Sequence, residues 1–212
     1  MTTKDTQNAK NAARDTVAQN SNIENTIRNI VVQALKEGKM QPEEIKQTLN
    51  EVFEGACEGV NTQSDENGEA LKQVVTGVDD ALSQVAEASK LAIEEASGNF
   101  QEFSDHDLKR ALNDLEDLEN IFLDTLSEVA NKGKETTQGT LEDLLYHLQN
   151  SGSSVGQTVN ELLSGLHRDL AKDGRLQNIQ MADIAKATGA TFARVSSGIL
   201  AGIADSLDPK KK

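Results

Sequence analysis

From Pro42 to Pro209 the chain runs 166 residues without a proline. Proline inside a helix costs about 3 kcal/mol, so its absence permits long helices. The apolar residues supply the positive signal. Ile45, Leu49, Val52 and Ala56 recur at steps of four and three, and Leu71, Val75, Val78, Leu82, Val85, Ser89, Ala92 and Ala96 continue the pattern. A seam with this heptad spacing lies along one side of a helix and is buried by packing against another helix. The sequence therefore predicts an all-α fold, with long heptad-patterned helices packed as an elongated antiparallel helical hairpin or bundle.

A second arm carries the same rhythm. Leu108, Leu112, Leu115, Glu119, Phe122, Leu126 and Val129 form one stretch, and Leu141, Leu145, Leu148, Val155, Val159, Leu162, Leu166 and Leu170 form another. Between the arms, Ser104 followed three residues later by Asp107 resembles a capping box, which places a chain reversal near residues 98–105. Each arm also has a polar interruption, at residues 61–69 and 132–139. In a straight hairpin the two interruptions would lie side by side, and each arm of roughly 60 residues would approach 90 Å. A compact four-helix core, with each arm folded at its interruption, is the alternative. The symmetric placement of the interruptions favours the straight hairpin.

Four segments follow from this pattern: a disordered N-terminal tail over residues 1–21, a hairpin or bundle over 22–174, an amphipathic C-terminal helix over 175–207 and a basic tail over 208–212. The tail is assigned from its Asn, Thr, Gln and Ala content and scarcity of large apolar side chains. A short N-terminal helix opens the bundle, with Ile23, Ile27, Ile30, Val31, Ala34 and Leu35 on one face and Gly38 at its end. Pro42 suits a first helical turn, with Gln41 just before it.

Composition narrows the function classes. There are five Phe, one Tyr and no Trp, so the core rests on aliphatic seams, and a deep aromatic-lined ligand pocket is not expected. The formal charge is −14, distributed unevenly. Residues 1–40 carry +2, 41–104 carry −11, 105–173 carry −8 and 174–212 carry +3. Nucleic acid would be repelled by most of that surface. Cys57 is alone, so neither an internal disulfide nor a thiolate metal cluster is available. The most apolar window, residues 187–204, contains Arg194 and several Ser, Thr and Gly residues, and no transmembrane segment is expected. A reducing cytoplasm fits these features.

No residue pattern reaches a catalytic constellation. His106 lies between Asp105 and Asp107 at the reversal, where capping explains it. His147 and His167 are 20 residues apart, about 30 Å along a continuous helix. No Glu stands three residues before a His, as di-iron bundles require. The adjacent acids Asp79-Asp80 and Glu94-Glu95 diverge by about 100° on a helix and read as solvated faces. Gly152-Ser153-Ser154 has a serine without a base fixed beside it, Cys57 reads as a small packing residue, and Tyr146 reads as packing. The sequence predicts neither an enzyme nor any metal or cofactor.

The C-terminal helix, from about residue 180, differs from the others. Ile184, Thr188, Val195, Ile199, Ile203 and Leu207 share one face, charge is sparse, and Gly198 and Gly202 permit close approach by another helix. Phe192, Val195, Ile199 and Ile203, with Gly198 and Gly202, are the expected interaction face. The expected partner is an unknown protein or a second copy, and a lipid or granule surface is the alternative. A scaffold or adaptor acting through protein–protein contacts is the first functional expectation.

Residues 103–112 (FSDHDLKRAL), Leu115 to Glu119, and residues 197–207 (SGILAGIADSL) resemble an uncharacterised bacterial all-helical protein family, and residues 30–59 resemble its opening. The resemblance covers most of residues 23–207. It implies a bacterial cytoplasmic source and no assigned activity. In architecture alone, without a shared motif, the chain is similar to phasins and exchangeable apolipoproteins, whose amphipathic helices coat apolar surfaces. The acidic body departs from what anionic lipid would favour.

Overall fold

The computed structural model describes residues 3–37, 41–60, 67–98 and 105–172. These form seven helices and no strand: α1 (Thr3–Gln19), α2 (Ile23–Glu37), α3 (Pro42–Val60), α4 (Asn67–Gly98), α5 (Asp105–Lys132), α6 (Glu135–Ser151) and α7 (Ser154–Lys172). They pack as a helical bundle, as the heptad seams require. Ile45, Leu49, Val52 and Ala56 of α3 are buried, as are Leu71, Val75, Val78, Leu82, Val85 and Ser89 of α4. At the centre the Phe53 and Phe122 rings stack 6.4 Å apart, joining α3 to α5. Each fully buried aliphatic or aromatic side chain of this kind contributes about 1.5–3 kcal/mol. Pro42 opens α3, and the Gln41 carbonyl accepts the Ile45 amide at 2.9 Å.

The first segment departs from the expected disorder. Residues 3–19 are helical, and Ala9, Ala13 and Val17 are buried against α3. The reason lies on the partner helix. A Cβ at Gly55 would stand 2.1 Å from the Lys10 carbonyl oxygen, and one at Gly59 would stand 2.5 Å from that of Arg14. Two glycines one turn apart thus let the α1 backbone lie directly on α3, where small side chains suffice to fill the contact. Lys10 to Gly55 and Arg14 to Gly59 advance together, so the two helices run parallel. Lys10 also bridges Glu54 and Glu58, each at 3.0 Å. Asn20 and Asn22, at φ 47° and 50°, turn the chain from α1 into α2. Asparagine tolerates this left-handed region better than most residues.

The second arm does not continue straight. Helix α5 stops at Lys132, Lys134 takes an extended conformation (φ −74°, ψ 155°), and α6 begins at Glu135. Thr137 and Gln138 donate their amides to the Lys134 carbonyl at 2.8 and 2.9 Å. Ser153 then lies beside Glu119 of α5. In one continuous helix these residues would be about 50 Å apart, so α6 folds back antiparallel to α5. The polar interruption is a reversal, as in the compact alternative. Gly68 faces Thr140, and Asp79 meets Ser154, so α6 runs beside α4 in the same direction. Level with Asp79 stands Glu119, which makes α5 antiparallel to α4. Gly152, at φ 84°, breaks α6 from α7, and α7 packs chiefly on α4 and α5.

Of the first polar interruption, expected over 61–69, residues 67–69 belong to α4; residues 61–66, residues 99–104 with the expected Ser104 cap, and residues 173–212, where the C-terminal helix and basic tail were expected, lie outside the described residues. Among the described residues no helix is long and apolar enough to cross a membrane.

Candidate functional site

Two places in the described bundle gather polar chemistry. The first is the start of α7. A helix begins with amides that have no intrahelical acceptor, and here three of them find one. Ser153 is the cap, its Oγ accepting the Gly156 amide at 2.9 Å. The Ser154 and Val155 amides donate to the Oδ2 and Oδ1 of Asp79, both at 2.8 Å. Asp79 comes from α4, so one carboxylate binds two helices together. The positive end of the α7 dipole favours that charge. Ser153 Oγ donates in turn to Glu119 Oε1 of α5 at 2.6 Å. Gly156 gives this carboxylate room, because a Cβ there would stand 2.1 Å from Glu119 Oε1.

Asp79 is 5% exposed, which corrects its reading as a solvated acid. Burial pushes its carboxyl above the ordinary value, while the Val155 and Ser154 hydrogen bonds pull the other way and Asp80 adds to the rise. Ser153 does have a carboxylate beside it, contrary to expectation, but its hydroxyl is buried and engaged as donor and acceptor at once. That arrangement fixes a helix end and leaves no free nucleophile.

The second place is a concavity of about 200 Å³ where the end of α3 meets the α5–α6 reversal. Glu54, Cys57, Glu58, Val129, Lys132, Gly133, Lys134 and Thr137 line it. Cys57 is half-buried, and its thiol is pushed up to about 11, chiefly by burial and against a lowering hydrogen bond with Thr137. A thiol so raised is almost wholly protonated near neutrality and is a poor nucleophile. It packs against the core, consistent with its expected packing role. Across the other end of α3, Lys46 pairs with Glu128 of α5, and that contact lowers the Glu128 carboxyl.

Among the described residues no group of three or more His, Cys, Asp and Glu could hold a metal ion. His147 is exposed, with its Nδ1 3.5 Å from Ser151 Oγ. Tyr146 is 70% exposed rather than packed. The expected interaction face, Phe192, Val195, Gly198, Ile199, Gly202 and Ile203, lies outside the described residues, as do the side chains of His106 and His167.

A signal for the Asp79 clamp was present in the spacing. Asp79 stands four residues after Val75 and three before Leu82, at the edge of the seam, whereas Asp80 faces away. Gly152-Ser153 preceding an apolar-periodic run is likewise a helix start.

The family described as "Family of unknown function (DUF6781)" matches residues 1–209, and the chain belongs to that family. Comparison with curated proteins and with solved structures found no match.

Proposed function

We propose that the chain is a non-catalytic helical scaffold or adaptor that works through protein–protein contacts, with Phe192, Val195, Ile199 and Ile203 as its contact face. Gly198 and Gly202 would let a partner's backbone approach that face. One observation carries the reading: the reactive groups gathered in the described bundle are spent on holding helices together. Asp79 and Ser153 satisfy the first amides of α7, with Glu119 holding Ser153 in place. Cys57 is held as a protonated thiol against the core. A body built this way presents surfaces rather than chemistry, and residues 176–207 carry only four charged side chains, Asp183, Lys186, Arg194 and Asp205. The lone cysteine fits a reducing, cytoplasmic setting.

The double substitution V195E/I199E tests the assignment. A contact face tolerates it, so the variant keeps the cooperative thermal transition of the wild type by circular dichroism. If the variant unfolds, that face is core and the assignment fails. The competing reading is a surface-active protein that lays the same segment on lipid or a storage granule, and vesicle flotation separates the two.

A further inference from the structure

One turn in the described bundle departs from the others. Gly133 serves the α5–α6 reversal and Gly152 the break between α6 and α7. Between α1 and α2 stand Asn20, Ser21 and Asn22, with neither glycine nor proline among them. Asn20 and Asn22 nonetheless both take left-handed φ, which costs energy even for asparagine. None of the three residue types is barred from a helix. The Asn22 carbonyl already accepts the Thr26 amide at 3.1 Å, in the spacing of an α-helix.

Helical phase also carries through the turn. On a continuous helix the buried Ala9, Ala13 and Val17 of α1 would share an arc of about 120° with Ile23, Ile27 and Leu35 of α2. Of the described buried residues of these two helices, only Val32 falls outside that arc. Straightened, residues 3–37 would form one amphipathic helix about 52 Å long. Helix α1 is also lightly held where it lies. Among the described residues its buried apolar side chains are two alanines and a valine. They rest on the Gly55–Gly59 groove of α3, with Lys10 set between Glu54 and Glu58.

We propose that two copies of the chain exchange α1. In each copy Asn20 to Asn22 straighten, α1 and α2 become one helix, and α1 lies on the Gly55–Gly59 groove of the other copy. Lys10 then pairs with Glu54 and Glu58 across the dimer. The groove fits this occupant because the chain's own α1 already fills it, and a second copy brings the same helix. The contacts of α1 are alike in the closed and exchanged forms, so the connector and the protein concentration set the balance. The exchange is separate from the C-terminal contact face and does not depend on it.

The test places the photo-cross-linker p-benzoylphenylalanine at Glu54, whose carboxylate lies 3.0 Å from Lys10 Nζ, in the full-length chain. Equal amounts of this chain and of a heavy-isotope chain without the cross-linker are unfolded together, refolded at a series of concentrations and irradiated. Dilute samples should link the label to light α1 peptides. Concentrated samples should add heavy α1 peptides, in step with the dimer seen by sedimentation. Asn20→Ala with Asn22→Ala should lower the dimer dissociation constant about tenfold, because alanine is the better helix former. Asn20→Gly with Asn22→Gly should raise it about tenfold, because glycine takes the left-handed turn freely and weakens a helix. Only light links at every concentration up to the solubility limit would overturn the proposal, whether or not a dimer forms, since a dimer built on another surface leaves α1 at home. A glycine variant that dimerises more tightly than the wild type would overturn it as well, and that comparison stands even where the alanine variant does not fold.

Discussion

Asp79 accepts the first two amides of α7 from a position with almost no access to water. Truncating it would leave the buried Val155 amide and the part-buried Ser154 amide without their acceptor, and an unsatisfied buried donor costs about 1–3 kcal/mol. Asp79→Ala should therefore lower the unfolding free energy by about 2–4 kcal/mol in denaturant titrations near neutral pH. The pH dependence has a definite sign. The folded carboxyl is raised above its ordinary 3.8, so over that interval the folded state binds the proton more tightly than the unfolded state does. The stability that Asp79 contributes is full below 3.8 and declines as pH rises through the folded value. The difference between wild type and Asp79→Ala should shrink across this window and then level off. A difference that grows with pH would mean that the hydrogen bonds outweigh burial. The residue was only half legible in the sequence. Its seam-edge position was visible, but its acceptor role depends on α7 beginning beside it, which a contact between residues 75 apart in sequence decides.

At the scale of elements, α1 depends on the two glycines beneath it. Gly59→Ala would place a methyl group 2.5 Å from the Arg14 carbonyl and 2.9 Å from Val17 Cβ, so α1 must shift or leave. Overpacking of this kind costs about 1–3 kcal/mol. Hydrogen exchange in residues 7–19 should accelerate more than in α4. Uniform acceleration through the molecule would show that α1 is part of one cooperative unit. Helix α1 was missed because Ala9, Ala13 and Val17 present little apolar area and resemble a polar tail. Their partner signal, Gly55 and Gly59 one turn apart, lies more than 40 residues away. The heptad seams of α3, α4 and α5 were legible because large aliphatic side chains carry them. The reversal at residues 133–134 was visible as an interruption, but whether a seam bends or folds depends on which helix receives it. Spin labels at Asp117 and Ser151, both exposed, discriminate directly. The folded-back α6 places them within about 20 Å, whereas a continuous helix would hold them near 50 Å.

At the scale of the whole molecule, an acidic body carries a mildly basic, charge-poor end. The body's −19 over residues 41–173 disfavours approach to anionic membranes and nucleic acid alike, and leaves the end segment to meet a surface that tolerates that charge. The architecture was legible as a class, since aliphatic heptads with few aromatics specify helices packed on helices. The interaction face was named from sequence alone. The end segment is proposed to engage protein rather than lipid. Flotation of the full-length chain with zwitterionic and with anionic vesicles, beside a chain ending at Gly174, tests it most directly. Neither chain should float with either vesicle. Flotation of the full-length chain alone would contradict it and make the last segment a lipid-binding element.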